Sequence, residues 1–231
     1  MKRFWAETGV TEVGEGWGVR LDARPLNTPA RQPMTLPSRA LAEAVAAEWA
    51  ACGETVDPRT MPLTKAANVT IDRVISARAE VAQAVAAYGA CDLLCYRAPH
   101  PPALARRQAE AWDPLLDWAA EALGARLQCA DGIMHLAQSP AALSRLETTV
   151  AAATPWELTA LHELVTVSGS LVIGLAVRAH RITAETGWRA SRIDEDWNIE
   201  QWGADAEAAA LDARKRGDFL SAARLLALLQ T

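Results

Sequence analysis

The first forty residues alternate hydrophobic and polar positions as a strand does. Trp17, Val19 and Leu21 alternate with small or polar residues, which is the period of two of a half-buried strand. Gly14-Glu15-Gly16 comes just before this run and suits a tight hairpin turn. Three prolines between positions 29 and 37 then break the chain into short extended pieces. This region therefore predicts a small twisted sheet built of hairpins.

The pattern then changes to helical spacing. Ser38 is a suitable N-cap, and Leu41, Val45 and Trp49 recur every four residues, so one helix face is apolar. Gly53 is the predicted end of this helix. Because a hairpin sheet alone is only marginally stable, we expect the helix to pack on the sheet.

From Thr64 onward the chain is rich in alanine and leucine, and its pattern predicts helices almost throughout. Asp113-Pro114 resembles a cap followed by a first-turn proline, so it predicts the start of a helix. Gly217-Asp218 predicts a turn between two others. The fold class predicted is α+β, with a small N-terminal α/β domain over residues 1–62 and a larger all-helical C-terminal domain over residues 63–231. Later helices are predicted at 170–182, 184–201, 205–215 and 219–230.

Residues 126–137 are ambiguous. Asp131-Gly132 lies between two short apolar runs, which is a hairpin signal. An extra hairpin that associates with the N-terminal sheet is one interpretation of this segment.

Composition and charge exclude some classes of function. The net charge of the 231 residues is −5, and the short basic clusters, Arg106-Arg107 and Arg214-Lys215-Arg216, are typical of solvated helix faces. Nucleic-acid binding needs a concentrated basic surface, so we expect none. The longest apolar run, Leu171 to Val177, is shorter than the about 20 residues of a membrane span, so no membrane insertion is expected. The N-terminus has no leader pattern, which favours a reducing cytoplasm with free cysteines.

Motifs for catalysis or metal binding are incomplete. His162-Glu163 begins a zinc-protease pattern, but position 166 is a threonine where that pattern needs a second histidine. Cys91 and Cys95 lie four apart, whereas zinc sites generally use closer pairs and four ligands. No nucleophile–base set can be assembled from the order of residues. The sequence therefore predicts no catalytic residue, no metal and no cofactor.

The most distinctive segment is acidic and carries two tryptophans. Residues 192–207 hold six acidic side chains and one arginine, so their charge equals that of the whole chain. Three interpretations compete: a solvated acidic helix with its tryptophans in the core, a carboxylate metal or acid/base site, and a protein-docking face. The docking interpretation uses Asp194, Glu195, Asp196, Trp197, Glu200, Trp202, Asp205 and Glu207.

Ordered motifs along nearly the whole chain resemble one family, the assembly chaperones that act on the alpha subunit of the catalytic head of ATP synthase. These chaperones occur in mitochondria and in some bacteria. The matching stretches are Arg3-Phe4-Trp5, Gly16 to Ala30, Leu36-Pro37-Ser38, Glu48-Trp49, Met61 to Thr64, Asp92 to Ala98, Trp112 to Leu116, Ser168 to Leu171, Asp194 to Trp197 and Trp202-Gly203.

The resemblance implies two domains, no catalysis and no obligate cofactor. It implies a protein that holds the free alpha subunit until the beta subunit replaces it, which prevents aggregation. The acidic helix matches the family region in which an acidic residue is critical, and Glu195, Asp196 and Glu200 align best with it. We further expect a monomer in a bacterial cytoplasm. Two alternatives remain from the residues alone: a metal-dependent enzyme that uses the Asp194–Glu200 carboxylates, and a general helical adaptor.

Overall fold

A computed structural model describes residues 2–230 and begins with a four-stranded antiparallel sheet. The central strand β2 pairs with all three others, and the predicted hairpin closes where Val13 pairs with Gly16. Gly14 has a φ of 59°, a left-handed conformation that favours glycine in this turn. The prediction of a hairpin sheet is confirmed. The strands are β1 Thr8–Val13, β2 Gly16–Leu21, β3 Arg24–Pro25 and β4 Thr35–Leu36.

Helix α1, Arg39–Ala50, packs on β1 and β2 as expected. The Ser38 hydroxyl accepts a hydrogen bond from the Leu41 N–H at 3.1 Å, which confirms the predicted cap. Leu41, Val45 and Trp49 are all buried, so the periodic apolar face is the one that covers the sheet. The helix ends at Ala50, three residues before Gly53.

The rest of the chain is predominantly helical, so the predicted α+β class is confirmed. Two further two-residue strands pair with each other in parallel, β5 at Tyr96–Arg97 and β6 at Ala130–Asp131. A π-helical turn lies at Thr70–Val74, and 3₁₀ turns lie at Pro58–Thr60, Ala87–Cys91 and Leu93–Cys95. The remaining helices are α2 Pro62–Val69, α3 Arg78–Ala86, α4 Pro102–Ala122, α5 Pro140–Ala151, α6 Pro155–Ser168, α7 Leu171–Arg178, α8 Ala184–Ala190, α9 Ile193–Trp202 and α10 Ala206–Leu228.

Three predicted helix limits are wrong. Asp113-Pro114 lies inside α4, because Trp112 and Leu115 continue one buried face and the exposed Pro114 removes only a single backbone donor. Gly217-Asp218 lies inside α10, where the following Phe219 is buried. The helix predicted over 184–201 is instead two helices, interrupted at residues 191–192.

The hairpin predicted over residues 126–137 does not form. Only Ala130–Asp131 is a strand, and its partner is β5. Gly132, with a φ of 83°, does make the expected turn, and its N–H donates to the Arg97 carbonyl at 2.7 Å. Ile133 and Met134 are 95% and 79% exposed, so no buried face exists for a second strand.

The chain divides into two compact units. The first unit contains the chain up to Arg78, Thr154–Ala160 and the chain from Arg224 onward. Within it, the Glu48 carboxylate on α1 accepts hydrogen bonds from the N–H groups of Leu63 and Thr64, both at 2.8 Å. This contact ties α2 to α1, so the first unit extends beyond the boundary that we predicted after residue 62.

The second unit contains Ala79–Ala153 and Leu161–Ala223. Its centre is α7, in which every residue from Leu171 to Val177 is buried. No helix among residues 2–230 is long and apolar enough to cross a membrane.

Candidate functional site

The acidic segment forms α9 in the second unit. Its start has no side-chain cap, and Asp194, Glu195 and Asp196 occupy its first turn, where negative charge is favoured by the helix dipole. The helix ends at Gly203, whose φ of 87° is a conformation that glycine adopts without strain. The acidic cluster thus has a local structural role in starting this helix as well as any role in binding.

Little apolar surface holds α9 in place. Ile193 is its one buried residue among those described, and Trp197 is half-buried. The helix packs against α4, and also against α10 through the Arg192 guanidinium, which pairs with Asp212 at 2.9 Å. The same guanidinium pairs with Glu195 at 2.9 Å.

Asp194 is bound by a buried glutamine of α4. The Gln108 side-chain amide donates to the Asp194 carboxylate at 2.5 Å and accepts from the Ala98 N–H at 2.8 Å. Asp194 is therefore engaged inside the protein.

Glu200 is bound by the residue beside that glutamine. The Arg107 guanidinium makes two parallel hydrogen bonds to the Glu200 carboxylate, at 2.8 and 2.9 Å. This hydrogen bonding lowers the pKa of Glu200 and raises the pKa of Arg107. The guanidinium also lies 5.1 Å from the centre of the Trp197 ring, within cation–π range.

Asp196 has a different environment. Partial burial raises its pKa, the Arg192 guanidinium opposes this rise, and the neighbouring carboxylates of Asp212 and Glu200 add to it. The environment of Asp196 thus disfavours its charged form, whereas the hydrogen bonds from Arg107 favour the charged form of Glu200.

The face of α9 that is turned away from α4 is exposed to solvent. Glu195, Ile199 and Trp202 are spaced four and three residues apart, which places them on one helix face. Trp202 is 87% exposed and Ile199 is 42% exposed. We call these three residues the outer face of α9. An exposed tryptophan beside an exposed isoleucine is a common composition of protein-binding hot spots.

The last two predicted residues lie beyond α9. The Asp205 carboxylate accepts a hydrogen bond from the Ala208 N–H at 2.8 Å, and so it caps α10. Glu207 is exposed in the first turn of that helix. Of the eight residues, Asp194, Trp197 and Glu200 thus contact Gln108 or Arg107 of α4. The other five are exposed: Glu195, Asp196, Trp202, Asp205 and Glu207.

No sequence pattern indicates Arg107 and Gln108 as partners of α9. Arg107 was predicted to be part of an ordinary solvated basic cluster. Its contact with Glu200 spans 93 positions along the chain, and the Gln108–Asp194 contact spans 86. A pairing between distant segments leaves no periodic signal in the sequence.

The carboxylates of α9 do not form a metal site. Among residues 2–230, no three His, Cys, Asp or Glu side chains are grouped so as to hold a metal ion. Asp194 and Glu200 instead bind Gln108 and Arg107 of α4.

The exposed, tryptophan-bearing acidic helix on this α+β fold has the composition of a protein-binding surface. Comparison with known proteins specifies the class. The ATP12 chaperone protein family matches residues 2–120 of the chain. The solved structure of Atp12 from Paracoccus denitrificans is 47% identical, with a TM-score of 0.95, over 99% of this chain and 98% of that one.

Two further solved structures agree. A variant of the Paracoccus denitrificans protein with an aspartate replaced by lysine is also 47% identical, with a TM-score of 0.95, over 99% of this chain and 97% of that one. A protein of Agrobacterium tumefaciens named as a candidate chaperone is 40% identical, with a TM-score of 0.94, over 99% of this chain and 86% of that one. The chain therefore belongs to the ATP12 chaperone family. It is a chaperone and not an enzyme, and the family supports the expected role in ATP synthase assembly.

Proposed function

We propose that this chaperone binds the free alpha subunit of the ATP synthase catalytic head and keeps it from aggregating until the beta subunit replaces it. The family membership supports this role, and the bound subunit is called the client below. The observation that carries the proposal is the outer face of α9, where Trp202 and Ile199 are exposed beside Glu195.

An exposed aromatic side chain ringed by acidic groups suits reversible capture. Burial of Trp202 against the client would supply affinity, because tryptophan is enriched among the few residues that dominate binding free energy. The acidic rim would speed association with a client surface that carries arginine or lysine, and would reject surfaces of like charge. Such a surface masks apolar client residues and still releases them when a better partner arrives.

The eight predicted residues have two roles in this proposal. Glu195, Asp196, Trp202, Asp205 and Glu207 reach solvent and contact the client. Asp194, Trp197 and Glu200 contact Gln108 or Arg107 of α4 and set the shape of the surface. We further propose that a monomer binds one client in the bacterial cytoplasm.

Co-expression with isolated alpha subunit tests the proposal. The wild-type chaperone should keep the subunit in the soluble fraction and co-purify with it at a one-to-one ratio. Trp202→Ala and Glu195→Lys should each weaken capture by about tenfold or more. Met134→Ala and Glu121→Lys are matched controls, because both residues are exposed and lie outside α9.

The result that contradicts the proposal is an alpha subunit that aggregates equally with and without the wild-type chaperone. Capture that survives Trp202→Ala would exclude the outer face of α9 as the contact. A pull-down from cell extract distinguishes the chaperone from the remaining alternative, a general helical adaptor. An adaptor would retain many partners in similar amounts, whereas the chaperone would retain one dominant client.

A further inference from the structure

We propose that Arg107 and Gln108, consecutive residues of α4, are positioning residues that hold α9 in the orientation in which it captures the client. The part of this inference that concerns client capture rests on the proposed function. The part that concerns the orientation of α9 by these two residues applies to the free chaperone alone.

The need for such residues follows from α9 itself. It has ten residues, no side-chain cap at its start and only Ile193 buried among its described residues. An isolated helix of this length is marginal in water, because its few backbone hydrogen bonds do not repay nucleation. Its stability and orientation therefore depend on polar contacts with the helices beside it.

Gln108 secures the first turn of α9. Its side chain is 1% exposed, and both ends of its amide are used, one by the Ala98 N–H and the other by the Asp194 carboxylate. The amide thus connects the backbone after β5 to α9. Without it, the half-buried Ala98 N–H and the Asp194 carboxylate would both lose their partner.

Arg107 secures the last turn. The planar guanidinium matches the two oxygens of the Glu200 carboxylate, which fixes direction as well as distance. The same group lies over the Trp197 ring, so it holds the side chain one turn before Glu200. A lysine would supply the charge but not the paired geometry.

We call the Gln108–Asp194 contact the first anchor and the Arg107–Glu200 contact the second anchor. Together they define the orientation of α9. Asp194 and Glu200 are six residues apart, which is about 9 Å along a helix axis. Two fixed points at this separation prevent α9 from sliding or rolling on α4. Because Trp202 is two residues beyond Glu200, its direction is set by the second anchor.

The other charged groups around α9 do not replace these anchors. Arg192 pairs with Glu195 and Asp212, but it lies just before α9 and so constrains only the start of the helix. Asp196 lies near Arg192, Asp212, Glu200 and Arg107 and adds negative charge beside the second anchor.

Hydrogen exchange and client capture test the inference on the same variants of the full chain. Arg107→Gln and Gln108→Met should speed exchange of the α9 amides by about tenfold or more while the amides of α7 exchange about as slowly as in the wild type. Both should weaken capture of the alpha subunit although neither residue belongs to the outer face. Arg106→Gln is the matched control, since Arg106 is the exposed neighbour on the same helix.

Exchanging the charges of Arg107 and Glu200 distinguishes loss of their contact from loss of folding. Arg107→Glu alone should release α9, and Arg107→Glu combined with Glu200→Arg should restore part of the slow exchange and of the capture. Unchanged exchange in Arg107→Gln and Gln108→Met would overturn the inference, and so would faster exchange with unchanged capture. If wild-type protein captures no alpha subunit, the proposed function fails, while the exchange data still decide whether the two residues position α9.

Discussion

The buried carboxylate of Asp92 accepts a hydrogen bond from the Val172 N–H, at 2.9 Å and 80 positions away along the chain. Asp92 is fully buried, and the Leu94 N–H donates to its other oxygen at 3.0 Å. One side chain therefore caps the 3₁₀ turn Leu93–Cys95 and the start of α7. This contact joins the stretch Asp92 to Ala98, which carries part of the family resemblance, to the first turn of α7.

Asp92→Asn should destabilise the second unit. An amide has one acceptor oxygen, so one of the two buried N–H groups loses its partner, at a cost of about 1–3 kcal/mol. Urea unfolding of the two proteins measures the difference. Asp117→Asn is the control, because Asp117 is exposed on α4 and its replacement should change stability by about 0.5 kcal/mol or less.

The pH dependence of that difference has a defined sign. Burial raises the pKa of Asp92, and hydrogen bonds from Val172, Ser170 and Leu94 offset part of the rise. The folded protein therefore holds this proton at a higher pH than the unfolded chain does. The stabilisation is present at low pH and is lost as pH rises through the folded pKa. The stability difference between wild type and Asp92→Asn should narrow as pH rises from about 4, the ordinary carboxyl value, toward the raised folded pKa of Asp92, and a widening difference would contradict this.

Two glycine-to-alanine substitutions in helices should have opposite effects. A Cβ on Gly174 would lie 2.7 Å from a Val165 methyl group, so Gly174→Ala should destabilise by about 1–3 kcal/mol through overpacking. Gly217 lies inside α10 with open space around it, so Gly217→Ala should stabilise by about 0.5–1 kcal/mol through helix propensity. Thermal unfolding of both variants measures the signs, and stabilisation by Gly174→Ala would show that α7 is not closely packed on α6.

The four cysteines should react in two classes. Cys91 and Cys129 are exposed, whereas Cys52 and Cys95 are buried. Burial raises the pKa of both buried thiols, which lowers the fraction of reactive thiolate. Alkylation followed by mass spectrometry should label Cys91 and Cys129 in the folded protein and all four in denaturant. Labelling of Cys95 as fast as Cys91 would be inconsistent with this structure.

Ser38 should stabilise the first unit through both partners of its hydroxyl. The oxygen accepts from the Leu41 N–H and the hydroxyl donates to the Leu228 carbonyl at 2.5 Å. Ser38→Ala should lower the free energy of unfolding by about 1–2 kcal/mol, whereas Ser38→Thr keeps the hydroxyl and should lower it less. Equal losses in the two variants, measured by urea unfolding, would show that the hydroxyl contributes nothing.

Local patterns in the sequence determined the sheet and α1. The alternation at Trp17, Val19 and Leu21 and the spacing of Leu41, Val45 and Trp49 depend on which face of each element is buried. Gly14 and Ser38 act on the next few residues of the chain, so their roles can be predicted from the local sequence. The ordered motifs of the family are likewise a property of the sequence alone.

Breaks between helices were decided by tertiary packing. Pro114 and Gly217 are breakers by local propensity, yet α4 and α10 continue through them. Propensities of about 1–3 kcal/mol are outweighed when a helix buries Trp112 or Phe219. At Asp131-Gly132 the turn forms as predicted, but the chain that follows has no face to bury.

The sequence by itself determined the class of fold, the family and the acidic helix with its tryptophans. Only the tertiary structure separated Asp194 and Glu200, which bind residues of α4, from the outer face with Trp202. The physical reason is that helical spacing fixes which side chains share a face, while the choice of the face that meets the protein depends on Arg107 and Gln108, which lie about ninety positions earlier. Contacts at that separation arise from folding and have no local pattern from which they could be read.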